Sequence, residues 1–255
     1  MERDIILFDF NEVFKYQSFY RDEGHLWMHT GPMVGTNGYC DQKADRYFKS
    51  RINDIAKPSI SFLGSGNYHY ISLFLIERIK ESFSLVLFDH HSDMQRTAWG
   101  GLVSCGDWVL QAAMRNKHLK QIILVGISKE AALALTAQAS VEKELLVFLK
   151  EDIVTDVSWR QSLVGAVKYP VYFSVDKDVL CIDDAITDWD QGNMKIWQIS
   201  AAITEISRIH RILGMDICGE TAPFFGQPYD FQMASRKNSS ANSLLLDTWK
   251  NASNQ

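Results

Sequence analysis

Short apolar runs recur along this chain, each followed by a turn or polar cluster and then by an amphipathic stretch of helical length. The runs are Ile5–Phe10, Ile60–Leu63, Leu85–Phe88, Ile122–Ile127, Leu145–Leu149, Val171–Val175 and Ile212–Ile217. They are partly β-branched or aromatic and apolar on both faces, as strands buried inside a parallel sheet must be. Between them lie helix-length segments such as Tyr70–Ser82, Leu102–Asn116, Lys129–Gln138 and Trp197–Ile209, and Ser239–Trp249 reads as a closing helix. This alternation predicts a parallel sheet covered by helices on both faces. No repeat or shift of composition divides residues 1–255, so a single domain is expected. The segments Phe19–Asp45 and Thr221–Ser240 are rich in glycine, polar and aromatic residues and are candidate lids.

Composition excludes several functions. A 255-residue chain that is 46% hydrophobic can fill a core and is not intrinsically disordered. No apolar stretch approaches the roughly eighteen residues a membrane-spanning helix needs. A formal net charge of -5 argues against a nucleic-acid partner. The four cysteines, Cys40, Cys105, Cys181 and Cys218, are widely spaced, which fits neither a disulfide framework nor a zinc ribbon. The apolar run at Ile5–Phe8 is too short for a signal-peptide core and is interrupted by Asp9, so the cytoplasm is the expected compartment.

In parallel α/β sheets, ligands bind outside the carboxyl ends of the strands. Here Ile60–Leu63 is followed by Gly64-Ser65-Gly66-Asn67-Tyr68-His69, and Leu85–Phe88 by Asp89-His90-His91-Ser92-Asp93. Val171–Val175 is followed by Asp176-Lys177-Asp178, and Ile212–Ile217 by Cys218-Gly219-Glu220. The strand ends thus deliver carboxylates and imidazoles to one edge of the sheet. Residues two apart in extended chain share a face, but at about 3.3 Å per residue a fully extended i to i+4 pair spans roughly 13 Å. Asp89, His91 and Asp93 can therefore meet one small centre only if the chain curls as it leaves its strand. Packed together without cations, these carboxylates would repel one another and be costly to bury. Oxygen-rich donors with some imidazole suit Mn²⁺ or a similar divalent ion, and six such ligands suit two ions about 3.5–4 Å apart. The plainer alternative is that aspartates after strands cap the next helix or sit in solvated turns. Phe8-Asp9-Phe10-Asn11 and Asp176-Lys177-Asp178-Val179 also resemble the aspartate-based phosphatase motif, but the first lacks its second Asp and neither leads into the Gly-Thr turn.

Taken together, these residues resemble the ureohydrolase superfamily of arginases, agmatinases and formiminoglutamases. Asp89-His90-His91-Ser92-Asp93 is similar to the D-A-H-x-D motif of that family, and Ser174-Val175-Asp176-Lys177-Asp178 to its S-x-D-x-D motif. Asn67-Tyr68-His69 takes the place of G-D-H in G-G-D-H-S, and the order of motifs matches from Ile60 to Glu220. The resemblance implies an arginase/deacetylase-like, three-layer α/β/α domain with a central, mostly parallel sheet and a two-manganese centre. His69, Asp89, Asp93 and Asp176 would hold one ion, and Asp89, His91, Asp176 and Asp178 the other. The implied reaction is attack of a metal-bridging hydroxide on a guanidinium or amidine carbon, with Asp178 passing the proton to the leaving amine. Glu220, one residue offset from the family pattern, is the candidate partner of the guanidinium. The substrate would be a small guanidino or amidino compound, or arginine within a peptide, and the superfamily's trimers and hexamers imply a homo-oligomer.

The chain also departs from that pattern. Tyr68 replaces Asp, Asn67 and Tyr70 replace Gly and Ser, and His90 replaces Ala and should point away from the ligands. The histidine that shuttles protons in the family has no counterpart, and Ser104-Cys105-Gly106-Asp107-Trp108 lies there instead. Cys105 is then either the shuttle or a small packed residue. Asp107 could read a cationic substrate, and Trp108 could wall the pocket. His25, Trp27 and His29 read as surface-loop aromatics, His118 and His210 as surface residues, and Phe224, Phe225 and Tyr229 as packing for the late loop. Two other readings stand beside the leading one: a deacetylase-like amide hydrolase with one zinc, and a non-catalytic member with a decayed site.

Overall fold

A computed structural model describes residues 5–31, 33–55, 59–96, 102–138, 142–223 and 228–252. In chain order the first elements are β1 (Ile5–Asp9), β2 (His25–His29), β3 (Tyr39–Cys40), α1 (Gln42–Ile52), β4 (Ile60–Phe62), α2 (Ile71–Ile76), β5 (Phe83–Phe88), β6 (Val103–Ser104) and α3 (Trp108–Arg115). There follow β7 (Leu119–Ile127), α4 (Lys129–Gln138), β8 (Glu144–Leu149), α5 (Lys150–Thr155), α6 (Trp159–Ala166), β9 (Val171–Asp176), α7 (Ile196–Ser207), β10 (Ile212–Cys218) and α8 (Pro228–Ala252). The main sheet has eight strands in the order β2-β1-β4-β10-β9-β5-β7-β8. Each neighbouring pair in it is parallel. β3 and β6 form a separate antiparallel pair.

Side-chain alternation along the strands builds two cores. Leu7, Phe62, Val86, Phe88, Val125 and Phe173 face one layer, made by Leu163 of α6, Ile199 and Ile203 of α7, and Leu245 and Trp249 of α8. Ile6, Phe8, Leu85, Leu87, Leu124 and Tyr172 face the other, made by Phe48 of α1, Phe74 of α2, and Trp108 and Ala112 of α3. The result is the expected α/β/α sandwich. Helix α1 shows how the local code works: the Asp41 side chain accepts from Lys43 N and Ala44 N at 2.9 and 2.8 Å, capping the helix start. Its buried residues, Ala44, Phe48 and Ile52, recur every four positions and form one apolar stripe. No helix among the described residues is long and apolar enough to cross a membrane.

The differences from expectation lie in the segments taken as lids. Within Phe19–Asp45, His25–His29 is an edge strand paired in parallel with β1, not a surface loop. The Trp27 indole donates to Asp9 Oδ2 at 3.1 Å and His25 packs on Tyr20, so these aromatics finish the sheet edge. Within Thr221–Ser240, the chain is helical from Pro228 onward, and α8 is far longer than Ser239–Trp249. The proposed packing role of Phe224 and Phe225 lies outside the described residues, and Tyr229 is exposed. Helix α2 stops at Ile76, and α3 begins only at Trp108, after the short strand β6.

Trp249 is 1% exposed and joins α8 to the core beneath the sheet. Trp249→Ala is expected to cost about 3–5 kcal/mol of stability. Urea unfolding checks this: the midpoint should fall with the slope unchanged.

Candidate metal centre

The strand order decides where the acidic residues meet. β4, β10, β9 and β5 are consecutive in the middle of the sheet, although β10 and β9 come late in the chain. They are the four strands whose carboxyl ends lead into His69, Glu220, Asp176 with Asp178, and Asp89 through Asp93. Inserting β10 and β9 between β4 and β5 makes this the switch point of the sheet, where such folds open a crevice.

The chain curls at each of these ends, as the spacing requires. Asp89 Oδ1 accepts from His91 N at 2.6 Å, and Asp93 takes a left-handed backbone (φ 49), a region that Asp tolerates better than most residues. On the neighbouring strand, Asp176 Oδ1 accepts from Asp178 N at 2.9 Å and starts a 3₁₀ turn over Lys177–Val179. Two glycines make room for Asp176. A Cβ on Gly66 would lie 2.9 Å from Asp176 Oδ2, and one on Gly219, where φ is +87, would lie 2.5 Å from Asp176 Oδ1.

His69 is buried and oriented from behind. Its Nε2 lies 2.8 Å from Ser174 Oγ, and Ser174 Oγ donates to Asp216 Oδ1 at 2.7 Å. Because the serine proton is committed to Asp216, Ser174 accepts from His69, which places the ring proton on Nε2. Nδ1 then faces Asp93 Oδ2 at 2.9 Å, Asp89 Oδ2 at 3.4 Å and Asp176 Oδ2 at 3.6 Å. On the other side of the cavity, His91 Nδ1 lies 2.8 Å from Asp178 Oδ2, and its Nε2 lies 3.1 Å from Asp190 Oδ1. Three groups have donor atoms close enough to share an ion: His69, Asp89 and Asp93; Asp89, His91 and Asp178; and His69, Asp176 and Cys218.

A divalent cation fits these donors. Asp89 is 1% exposed, and its Oδ2 accepts no hydrogen bond among the described residues although it points at His69 Nδ1. A buried carboxylate oxygen left this way is costly unless a positive centre completes it. The two imidazoles and four aspartates, but not Cys218, line a cavity of about 230 Å³ whose walls also include Gly66, Gln95, Cys105 and Trp189. Trp189 stands edge-on to His91 at 5.7 Å and is pinned by its indole N–H to Asn67 Oδ1 at 3.0 Å. Beyond His91 and Gln95 a second cavity of about 560 Å³ adjoins the first.

Several sequence expectations are placed differently. Glu220 does not line the cavity. It is buried, and its carboxylate is held away from the cavity by Lys177 Nζ, by Asn242 Nδ2 at 2.7 Å and by Gln17 Nε2 at 2.7 Å. Asp107 accepts from Ser104 N at 2.6 Å and from Gln111 Nε2 at 3.1 Å, a local turn role. Trp108 lies beneath the site, donating to Asp93 Oδ2 at 2.7 Å and packing against His69. Cys105 does line the cavity, but burial and the nearby Asp93 push its thiol up to about 12. His90 turns its ring to the adjoining cavity, while its backbone N–H donates to Asp178 Oδ1 at 3.0 Å. Tyr68, in place of the family's Asp, stacks on Phe10 at 3.8 Å.

Sequence reasoning missed Asp216, Cys218, Trp189 and Asp190. A signal existed for the first two. In parallel register Asp216 sits beside Ser174 and Cys218 beside Asp176, so an aspartate inside an apolar strand marks the face that carries the site.

No family model matches the chain. A Thermotoga maritima protein described only as uncharacterized is 35% identical over 164 residues, 64% of this chain; the match spans 59% of that relative's length. Among solved structures, a Mn²⁺-bound variant of Trypanosoma cruzi formiminoglutamase superposes with a TM-score of 0.69 at 12% identity, covering 97% of this chain and 93% of that one. The agmatine ureohydrolase of Thermoplasma volcanium gives 0.68 at 14%, covering 98% and 90%. Proclavaminate amidino hydrolase from Streptomyces clavuligerus gives 0.67 at 14%, covering 98% and 92%. The chain has the ureohydrolase fold. Within that fold it carries a buried ion pair, Lys177–Glu220, directly behind the two aspartates that flank Lys177.

That pair generates a stability prediction. Removing one member of a buried pair typically costs about 3–5 kcal/mol, because the other is left charged and unpaired. Lys177→Met alone should lower the urea midpoint strongly, and Lys177→Met combined with Glu220→Leu should recover most of the loss.

The aspartate cluster generates a second prediction. Burial and the neighbouring Asp178 push Asp176 up to about 6, and burial with Asp89 pushes Asp178 up to about 7, from an ordinary 3.8. Burial opposes protonation of His91, but Asp178 and Asp89 outweigh it and push His91 up to about 12. All three groups bind protons more tightly in the folded chain than in the unfolded one. Stability of the metal-free protein is therefore lost as pH rises from about 4 upward. In chelator, the melting temperature should fall between pH 5 and 8. With excess Mn²⁺ the trend should reverse, because the ion takes the place of the protons.

Proposed function

We propose that this protein is a metal-dependent hydrolase of the ureohydrolase type, cleaving a linear C–N bond in a guanidino or amidino group. The observation that carries the reading is the meeting of His69, Asp89, His91, Asp93, Asp176 and Asp178 on one small cavity, with a buried oxygen of Asp89 left for a cation. His69, Asp89, Asp93 and Asp176 would hold one divalent ion, and Asp89, His91, Asp176 and Asp178 the other. Such an oxygen-rich set suits Mn²⁺. Bound there, two cations supply a water that ionises near neutral pH and offset charge developing at the attacked carbon.

The chain's own residues position and move the protons. Asp178 is held at Oδ2 by His91 and at Oδ1 by the backbone N–H of His90, so its carboxylate is fixed at the cavity wall. In the proposed reaction it accepts the proton of the attacking water and returns it to the leaving amine. Asp190, on the far side of His91, keeps that ring in one orientation. Trp189 and Gly66 line the cavity, and Gln95 sits on the wall shared by the two cavities. The larger cavity gives the rest of the substrate room, whether a small arginine-like molecule or an arginine within a peptide chain.

Metal analysis after loading with Mn²⁺ and desalting is expected to find two equivalents per chain, fewer in Asp176→Asn. Screening arginine, agmatine, formiminoglutamate and arginyl peptides for release of urea or amine should then give turnover with at least one. Asp178→Asn should lower that turnover by about 10²–10⁴-fold with the chain still folded. Absence of bound metal, or full activity in Asp178→Asn, would falsify the reading.

A further inference from the structure

We propose that Cys218 is a ligand of the ion on the His69 side, so that the two positions of the centre differ in donor chemistry. This rests on the two-ion reading above. Cys218 Sγ, an oxygen of Asp176 and a ring nitrogen of His69 all lie within 4.8 Å of one another, and all three residues are buried. Sγ is 3.1 Å from Asp176 Oδ2. The thiol owes its position to the scaffold that orients His69. Cys218 and Asp216 are two apart on β10 and share a face, and Asp216 holds the Ser174 hydroxyl on which His69 rests. The next residue, Gly219, turns the chain at φ +87 and lets β10 approach the Asp176 carboxylate.

A second observation points to an ion beside the same imidazole. His69 Nδ1 is met from the other side by Asp89 Oδ2, the buried oxygen that no hydrogen bond satisfies. An ion bound by Cys218 would share His69 and Asp176 with the thiol, while Asp89 and Asp93 form a separate donor group around the same imidazole. On binding, Cys218 gives its proton to solvent, a sulfur–metal bond replaces the S–H contact to Asp176, and Asp176 Oδ2 is released to the ion. Thiolate donors favour Zn²⁺ and Fe²⁺ over Mn²⁺, whereas Asp89, His91 and Asp178 offer only oxygen and nitrogen. The centre would therefore take a softer ion at the His69 position and a harder one at the His91 position.

X-ray absorption at the zinc edge of the Zn²⁺-loaded full chain tests this. The expected result is a sulfur shell at about 2.3 Å beside nitrogen and oxygen at about 2.0–2.2 Å. Cys218→Ser should lose the sulfur shell and Cys105→Ser should keep it. Bound zinc with only nitrogen and oxygen neighbours in the unsubstituted chain would overturn the assignment and leave the two-ion reading standing. That arm needs no variant to fold. A chain that binds no zinc or manganese would overturn both.

Discussion

Everything in this molecule turns on crowding four aspartates at the ends of two neighbouring strands. Asp89, Asp93, Asp176 and Asp178 are all buried, and the fold gives each a partial remedy. Backbone N–H groups of His90, His91 and Asp178 point into the cluster, and the Trp108 indole and the Cys218 thiol add donors from below. Two imidazoles complete the ring. These donors satisfy many of the carboxylate lone pairs but do not cancel the charge, and one oxygen of Asp89 receives none of them. The arrangement is stable only in company with protons or cations, which is why pH and metal must act on the same equilibrium.

The architecture was legible because it depends on hydrophobic period, which a sequence states directly. The seven apolar runs became seven of the eight strands of the main sheet. The eighth, His25–His29, was hidden because edge position lets polar and aromatic residues alternate with apolar ones, so its pattern resembled a loop. The clustering of His69, Asp89, His91, Asp93, Asp176 and Asp178 was also legible, since position at strand ends fixes it. The roles of Glu220 and Asp107 were not. Asp107 is taken up by its own turn through Ser104 and Gln111, and Glu220 is met by Gln17 and Asn242, from the N-terminal segment and from α8, which spacing along the chain does not reveal. A hint was available in Lys177, an ammonium wedged between two ligand aspartates that must turn away from them and find its own counter-charge.

Similarity in structure at 12–14% identity shows how little of the sequence this architecture needs. In this chain the strands are ordered by apolar alternation, and Gly66 and Gly219 let strand ends approach Asp176. Replaced positions are absorbed locally, as when Tyr68 stacks on Phe10. Fold alone therefore carries no chemistry, and the functional reading rests on the side chains gathered at the switch point.

The same logic explains why a charged pair sits behind the centre where an apolar pair would pack as well. A buried ion pair adds little stability over well-packed hydrophobic residues, so its value here lies in position. Lys177 lies in the one-turn 3₁₀ segment that presents Asp176 and Asp178, and its ammonium reaches Glu220 and Asn242. Glu220 follows directly on the β10 end that carries Cys218 and Gly219. One ion pair thus ties together the ends of β9 and β10, the two strands that between them supply Asp176, Asp178 and Cys218. Apolar residues could fill that space, but they could slide, and a slide of β10 against β9 would separate the thiol from Asp176. The directional contacts among Lys177, Glu220, Asn242 and Gln17 are met in the register that places Cys218 beside Asp176.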